Sequence, residues 1–335
     1  MLDHQLSPIS VLQIMPKAIN SLWFVGPDRL LVSGQYWSHE DDDVVGEVRL
    51  VSTEGIQIAK TRRRASATAF TAFHPVKAEF ACTGFEQCTI YSFASDRLTR
   101  SERLRLGRHG PNCLQYTPDG HWLIWGGNEI NPVVRWDTSD YTSTSLSGFP
   151  QSVRSFSSVS AGKLAVGGWE GLIQLWDITR WVPIAQYQVN QSQGNRGFPA
   201  VKSLALSSNE SILYAAMTQP PYLQAFVVPD FTPEVSFAQE CKVNVLLLLS
   251  DGGILASGDD RGNVILWDSL TGQIVASYNP EGLTQTVINV ENNVAQEEDI
   301  SGVSVDALAI SPDGKTIAVG DSFGKVHLLA IVSSC

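Results

Sequence analysis

The chain has 335 residues, 43% apolar and 17% charged, with 34 acids against 23 lysines and arginines and a net charge of −11. This balance supplies ample core and excludes a long disordered tail, and it argues against nucleic acid as a partner, since phosphate binding needs a basic surface. The longest apolar block, "VNVLLLLS" at 243–250, is too short to span a bilayer.

The first residues, "MLDHQLSPIS", place an acid and no basic cluster before the apolar stretch, so no secretory leader is expected. Five cysteines (Cys82, Cys88, Cys113, Cys241, Cys335) show no CxxC spacing. They read as reduced, mostly buried thiols of a cytoplasmic protein. The first strand is expected in "ISVLQIM", residues 9–15. Next, "LLVSGQYWSHEDDDVVGEVRLV" (30–51) reads as two strands separated by an insertion, and Arg62, Arg63 and Arg64 are expected in a crossover beyond the following outer strand. The same strand–turn–strand pattern returns in "FACTGFEQCTIYSF" (80–93), "LIWGGNEINPVVRWDTSD" (123–140) and "LAVGGWEGLIQLWDITR" (164–180). It recurs again in "LYAAMTQPPYLQAFV" (213–227), "LASGDDRGNVILWDSLTG" (255–272) and "IAVGDSFGKVHLLA" (317–330).

In every copy the first strand ends in a small residue, namely Gly34, Gly84, Gly126, Gly167, Ala216, Gly258 and Gly320. Apolar runs before and after most copies, such as "VKSLALS" and "IVASY", bring each unit to four strands. Seven units of about 40 residues predict an all-β, seven-bladed β-propeller of four-stranded antiparallel blades, a single domain over 1–335. The last unit holds only three strands, "SVDALAIS", "KTIAVG" and "KVHLLAIV". Its bare edge requires a fourth, and residues 9–15 are expected to supply it and close the ring.

Three units carry Trp-Asp (Trp136-Asp137, Trp176-Asp177, Trp267-Asp268), and two carry Ser/Thr-Pro-Asp-Gly (Thr117 to Gly120, Ser311 to Gly314). On these residues the chain resembles the WD40-repeat family along essentially its whole length. The resemblance implies the same ring closure. It also implies a polar network linking the tryptophan to a Gly-His before the innermost strand and an aspartate before the third. Here Arg108-His109 approximates the Gly-His, and the aspartate position is read as Glu170, Arg261 and Phe323.

Relaxed agreement with a phosphate loop at Ala309 to Thr316 is explained otherwise: a β-branched strand, Ile317 to Gly320, follows the lysine where a helix is required. Lys315 is therefore a turn residue. No GxSxG, HExxH or zinc-spaced Cys/His set occurs, so no catalytic residue, metal or cofactor is assigned. His74 reads as a turn residue, and His109 and His327 as structural.

Charge is concentrated in two segments without lysine or arginine. One is "QYWSHEDDDVVGE" (35–47), with Glu40, Asp41, Asp42, Asp43 and Glu47; the other is 279–302, with Glu281, Glu291, Glu297, Glu298 and Asp299. Read as long loops in blade 1 and at the entry to blade 7, they are expected side by side on one face. That arrangement points to a protein–protein scaffold recruiting a basic protein partner there, although "HEDDD" as a cation site is weaker because the alternating ligand spacing is absent. The alternative is a propeller enzyme or small-molecule sensor using the central channel.

Overall fold

The computed structural model describes residues 4–40, 42–64, 70–84, 87–94, 96–105, 112–127, 133–149, 152–160, 162–190, 198–249, 252–280, 284–289, 294–299 and 302–333. Among them every regular element is a strand. After β1 (His4–Gln13), blade 1 contains β2 (Ile19–Phe24), β3 (Arg29–Ser38), β4 (Asp43–Ser52) and β5 (Gln57–Arg64). Blade 2 contains β6 (Thr71–Phe73), β7 (Glu79–Thr83), β8 (Gln87–Ala94) and β9 (Arg97–Arg105); blade 3 contains β10 (Cys113–Tyr116), β11 (Trp122–Gly126), β12 (Val133–Asp137) and β13 (Ser143–Leu146). Blade 4 is formed by β14 (Val153–Ser157), β15 (Lys163–Gly168), β16 (Leu172–Asp177) and β17 (Val182–Gln188), and blade 5 by β18 (Val201–Leu206), β19 (Ile212–Met217), β20 (Leu223–Val227) and β21 (Thr232–Ser236). Blade 6 comprises β22 (Val243–Leu248), β23 (Ile254–Asp259), β24 (Val264–Asp268) and β25 (Ile274–Tyr278). The remaining strands are β26 (Thr284–Asn289), β27 (Val294–Asp299), β28 (Val305–Ile310), β29 (Thr316–Asp321) and β30 (Lys325–Ser333).

Each of the first six sheets is an antiparallel meander in sequence order. Their innermost strands touch in succession, β2 to β6, β10, β14, β18, β22 and β28, and β28 returns to β2. The result is a seven-bladed β-propeller. β1 pairs antiparallel with β30 from His4↔Ser333 to Gln13↔Lys325, so the N-terminal strand closes the last blade, beginning earlier and ending sooner than the expected 9–15.

The core lies between blades. Leu31, Val48 and Leu50 of blade 1 pack with Phe80, Cys82 and Tyr91 of blade 2, and Leu12, Ile14 and Met15 pack with Ile19, Leu22 and Val326 where the ring closes. This packing explains the small residue at the end of each second strand. A Cβ on Gly167 would lie 2.5 Å from Val201 of blade 5, and one on Gly320 would lie 2.7 Å from Ile19 of blade 1. The repeat's glycine thus marks close approach of the next blade's inner strand.

Blade 7 departs from the expected plan. Its sheet has six strands, in the order β27-β26-β1-β30-β29-β28, because the segment read as a long loop over 279–302 forms a hairpin. β26 pairs parallel with β1 from Val11↔Val287 to Gln13↔Asn289. It covers an edge that would otherwise be bare.

Candidate interaction surfaces

The upper face is defined by the turns between second and third strands and by the crossovers that enter each innermost strand. The lower face carries the other turns. β3 and β4 each run ten residues, whereas the equivalent strands of blades 4 and 6 run five or six. The stretch expected as a loop over 35–47 is therefore mostly a regular hairpin, paired out to Ser38↔Asp43. Its extra length raises the tip roughly 10 Å above the upper face.

Glu40 and Asp42 are exposed at this tip, and Asp42 takes a left-handed φ of 52° in the turn. Asp43 is half-buried, its Oδ1 accepting from the Val44 N–H at 2.7 Å. Asp41 lies outside the described residues. Glu47 does not belong to any open acidic surface: it is 1% exposed, and its Oε2 accepts from Arg49 Nη2 at 2.7 Å and Nε at 3.0 Å. Arg49 Nη1 also donates to the Ile14 carbonyl at 2.6 Å. Strand alternation turns Glu47 inward, where it fastens blade 1 to the closing segment. Arg62, Arg63 and Arg64 complete β5 rather than forming a crossover, with Arg62 opposite Glu47 in register.

The second acidic segment does not rise beside the first. Register places Glu297, Glu298 and Asp299 on β27, opposite Thr286, Gln285 and Thr284, at the outer edge of the blade 7 sheet. Glu281 and Glu291 lie outside the described residues. The signal for this hairpin was present: a β-branched run in "TQTVINV" precedes Asn-Asn and a further short strand.

The Trp-Asp residues serve the architecture. Trp136, Trp176 and Trp267 are buried; Trp176 stacks on Phe149 at 3.9 Å, and Trp267 meets Phe237 edge-on at 5.5 Å. Their aspartates cap lower-face turns. Asp137 accepts from the Ser139 hydroxyl and N–H, Asp177 from those of Thr179 and from Arg180, and Asp268 from the N–H groups of Leu270 and Thr271. These donors hold all three carboxyls below the usual range, led by the Ser139 hydroxyl, the Thr179 hydroxyl and the Thr271 N–H respectively. His74 is a turn residue as expected, its Nδ1 accepting from Val76 and Lys77 N–H groups at 3.1 and 3.0 Å.

Among the described residues the polar network is seen in blades 6 and 7, two residues before the position read from sequence. Asp259 closes β23, with Oδ1 accepting from the Arg261 and Asn263 N–H groups at 2.9 and 2.8 Å. Its Oδ2 accepts from Gln239 at 3.1 Å and from the Cys241 thiol at 3.0 Å. That buried setting, with the Asp259 carboxylate beside it, pushes the Cys241 thiol up to about 12. Asp321 closes β29 in the same manner, accepting from Phe323 and Lys325 N–H groups and meeting His327 Nε2 at 2.9 Å. In blade 4 the equivalent residue is Gly168.

The lower mouth of the channel opens into a cavity of 630 Å³ lined by, among others, Trp23, Phe73, Leu114, Phe156, Leu206 and Leu248. None of the described residues lining it is an acid, a base or a histidine. No group of acids, histidines and cysteines that could hold a metal occurs among the described residues.

Sequence reading missed the exposed aromatics of the upper face. Trp37 on the blade 1 arm is 53% exposed, Trp169 and Phe323 in the turns of blades 4 and 7 are 38% and 46% exposed, and Phe198 in the crossover to blade 5 is 56% exposed. Arg154 lies beneath Trp169, 4.3 Å from its ring centre. The available signal was their position outside the short strands of the repeat, Trp169 and Phe323 in turns, Phe198 in a crossover and Trp37 in the extension of β3 beyond the repeat's glycine.

No family model matches the chain. It is similar to apoptotic protease-activating factor 1 of Rattus norvegicus, 23% identical over 214 residues, and to that of Mus musculus, 24% identical over 213 residues. Each match covers 63% of this chain and 16% of the relative, so the chain corresponds to a small part of those proteins. No helix among the described residues is long and apolar enough to cross a membrane.

Proposed function

We propose that this propeller is a non-catalytic cytoplasmic scaffold that recruits a protein partner through its upper face, with the blade 1 arm as the first point of contact. The observation that carries the reading is the joint presence there of exposed Trp37, Trp169, Phe198 and Phe323 and of an acidic tip bearing Glu40, Asp42 and Asp43. Exposed aromatics are the side chains that dominate interface energies once buried. Carboxylates at a projecting tip add capture rate and orientation for a basic partner. The closed ring fixes the blades against one another, so residues distant in sequence act as one preorganised surface.

An enzyme or small-molecule sensor would place its chemistry in the channel. The lining of the cavity there, uncharged and mostly apolar with Gln115, Thr117, Ser157 and Ser158 as its polar members, supports the scaffold reading over that alternative. The similarity to factors named for activating another protein agrees with it.

The test is affinity purification followed by mass spectrometry, comparing the wild type with Trp37→Ala and with a variant whose residues Glu40 to Asp43 become serine or asparagine. Partners should be lost from both, Trp37→Ala costing about 2 kcal/mol or more in binding. Identical protein sets from all three would refute the upper-face assignment.

A further inference from the structure

The outer strands of the blades are not protected alike. β13 and β25 run only four and five residues, and β17 and β21 contain Pro183 and Pro233, which cannot donate to an added strand. None of these four strands holds a lysine or arginine. β9, "RLTRSERLR", runs nine residues without proline, and its outer edge has no partner strand among the described residues. It carries Arg97, Arg100, Arg103 and Arg105, all exposed and none in an ion pair among the described residues.

Strand alternation sorts these bases. Arg105, Arg103 and Arg100 stand opposite Gln87, Thr89 and Tyr91, on the side that faces blade 1, since Tyr91 packs with Leu31 and Val48. A bulge at Ser101 keeps Arg100 in step with the other two. The acid of the strand, Glu102, stands opposite Ile90 and falls on the other side, where Ile90 packs with Leu123 and Trp125 of blade 3. The side of β9 toward blade 1 therefore presents three arginines and no acid. β5, the outer strand of blade 1 that touches β9, is also basic, with Lys60 and Arg62 to Arg64 in its sequence.

We propose that the edge of β9 receives an extended acidic segment of a partner protein, which adds to blade 2 as a fifth strand and sets carboxylates at every second position against Arg100, Arg103 and Arg105. The backbone of such a segment meets the unpaired N–H and C=O groups of the edge, and its side-chain period of two matches the arginines. Charged edges ordinarily repel strand addition. Here the charge selects, because arginines opposed by carboxylates form bidentate pairs, whereas a second β9 is repelled and an uncharged strand leaves them without partners. Strand addition at the rim already occurs in this ring, where β26 lies on β1 in the sheet of blade 7. Nucleic acids, anionic glycans and membranes fit less well. They lack backbone groups that continue a sheet, and a long polyanion also meets the field of a chain with a net charge of −11. The rim lies apart from the upper face, so the proposal does not depend on the recruitment reading.

Fluorescence anisotropy of the full chain with a labelled peptide of alternating glutamate and threonine tests it. The peptide should bind, and one of the same composition with its glutamates in a single block should bind at least about tenfold more weakly. Alternate residues of a strand turn their N–H groups to the same edge. Of two N-methylated forms, one at every threonine and one at every glutamate, at least one should therefore lose binding. The variant R100E/R103E/R105E should melt like the wild type, lose the glutamate peptide and bind its lysine–threonine counterpart instead. No binding by the wild type, equal binding of the block peptide, two N-methylated forms that both bind like the parent, or a reversed variant that keeps the glutamate peptide would overturn the proposal. So would a heparin oligosaccharide that displaces the peptide and binds more tightly than it, which would assign β9 to a polyanion that adds no strand.

Discussion

In blade 6 the Trp267 indole donates to Ser257 at 2.9 Å, and Asp259 gathers two backbone N–H groups, Gln239, Cys241 and Asn263. In blade 4, which carries the same Trp-Asp signature, the Trp176 indole donates to Gln174 of its own strand at 3.0 Å, and Gly168 replaces the carboxylate. The shared dipeptide reports buried ring packing and a capped turn; it does not report the network. Buried carboxylates concentrate around the closing seam, as Asp259 in blade 6, Asp321 with His327 in blade 7 and Glu47 with Arg49 in blade 1. On the far side, aromatic contacts take that role. Arg135 of blade 3 lies 4.2 Å from the Trp122 ring centre and 4.6 Å from that of Trp181 in blade 4. The seam joins segments from opposite ends of the sequence, and directional bonds fix their register where chain connectivity cannot.

Removing residues 1–16 is the harshest way to break this comparison. Val11, Leu12, Ile14 and Met15 are all at most 3% exposed, each worth about 1.5–3 kcal/mol of burial, and β26 loses the strand it pairs with. We expect loss of a cooperative thermal transition; a melt like that of the full chain would disprove closure by β1. A finer comparison sets Arg49→Ala at the seam against Arg135→Ala on the far side. The first leaves Glu47 buried without its main partner and should cost about 3–5 kcal/mol in urea unfolding. The second removes ring contacts and should cost about 0.5–2 kcal/mol. Equal losses would mean the seam has no special dependence on ion pairing.

The smallest effect is expected from acid, and it is distributed around the ring. Asp137, Asp177, Asp268 and Asp313 have carboxyls held below the ordinary range by hydroxyl and N–H donors in their turns. A folded pKa below the unfolded one gives stabilisation that is complete above the unfolded value and lost as pH falls toward the folded one. The carboxyl contribution to the melting temperature should therefore be lost below about pH 4, while His74, whose pKa burial lowers, begins a separate loss below about pH 6.5. Asp306, raised by burial, works in the opposite direction. Asp177→Asn should flatten the decline, and an unchanged profile would remove the turn aspartates from the explanation.

The ring was legible in the sequence because a small residue at the end of each second strand, glycine in all but blade 5, meets the close approach seen at Gly126, Gly167, Gly258 and Gly320, and because three strands in the last unit leave an edge requiring a partner. Strand alternation within the acidic stretch was less legible. Glu47 looks like its neighbours in composition, but regular pairing from Asp43 onward turns it to the interior. The network aspartates were misplaced by two residues because Asp259 and Asp321 end their strands instead of sitting within the turns. Four arginines on β9 escaped notice because the balanced charge of the remaining chain conceals where its bases cluster.

Gly324 shows what the seam requires of its last turn. Its φ is +84°, and its amide oxygen accepts from Ile14 and Met15, while a Cβ there would collide with the Met15 carbonyl. β1 is synthesised before almost everything it will touch, yet its docking site exists only once β30 and this turn have formed. The earliest strand must stay uncommitted until the latest is ready, so assembly of the circle must wait on its longest-range contact.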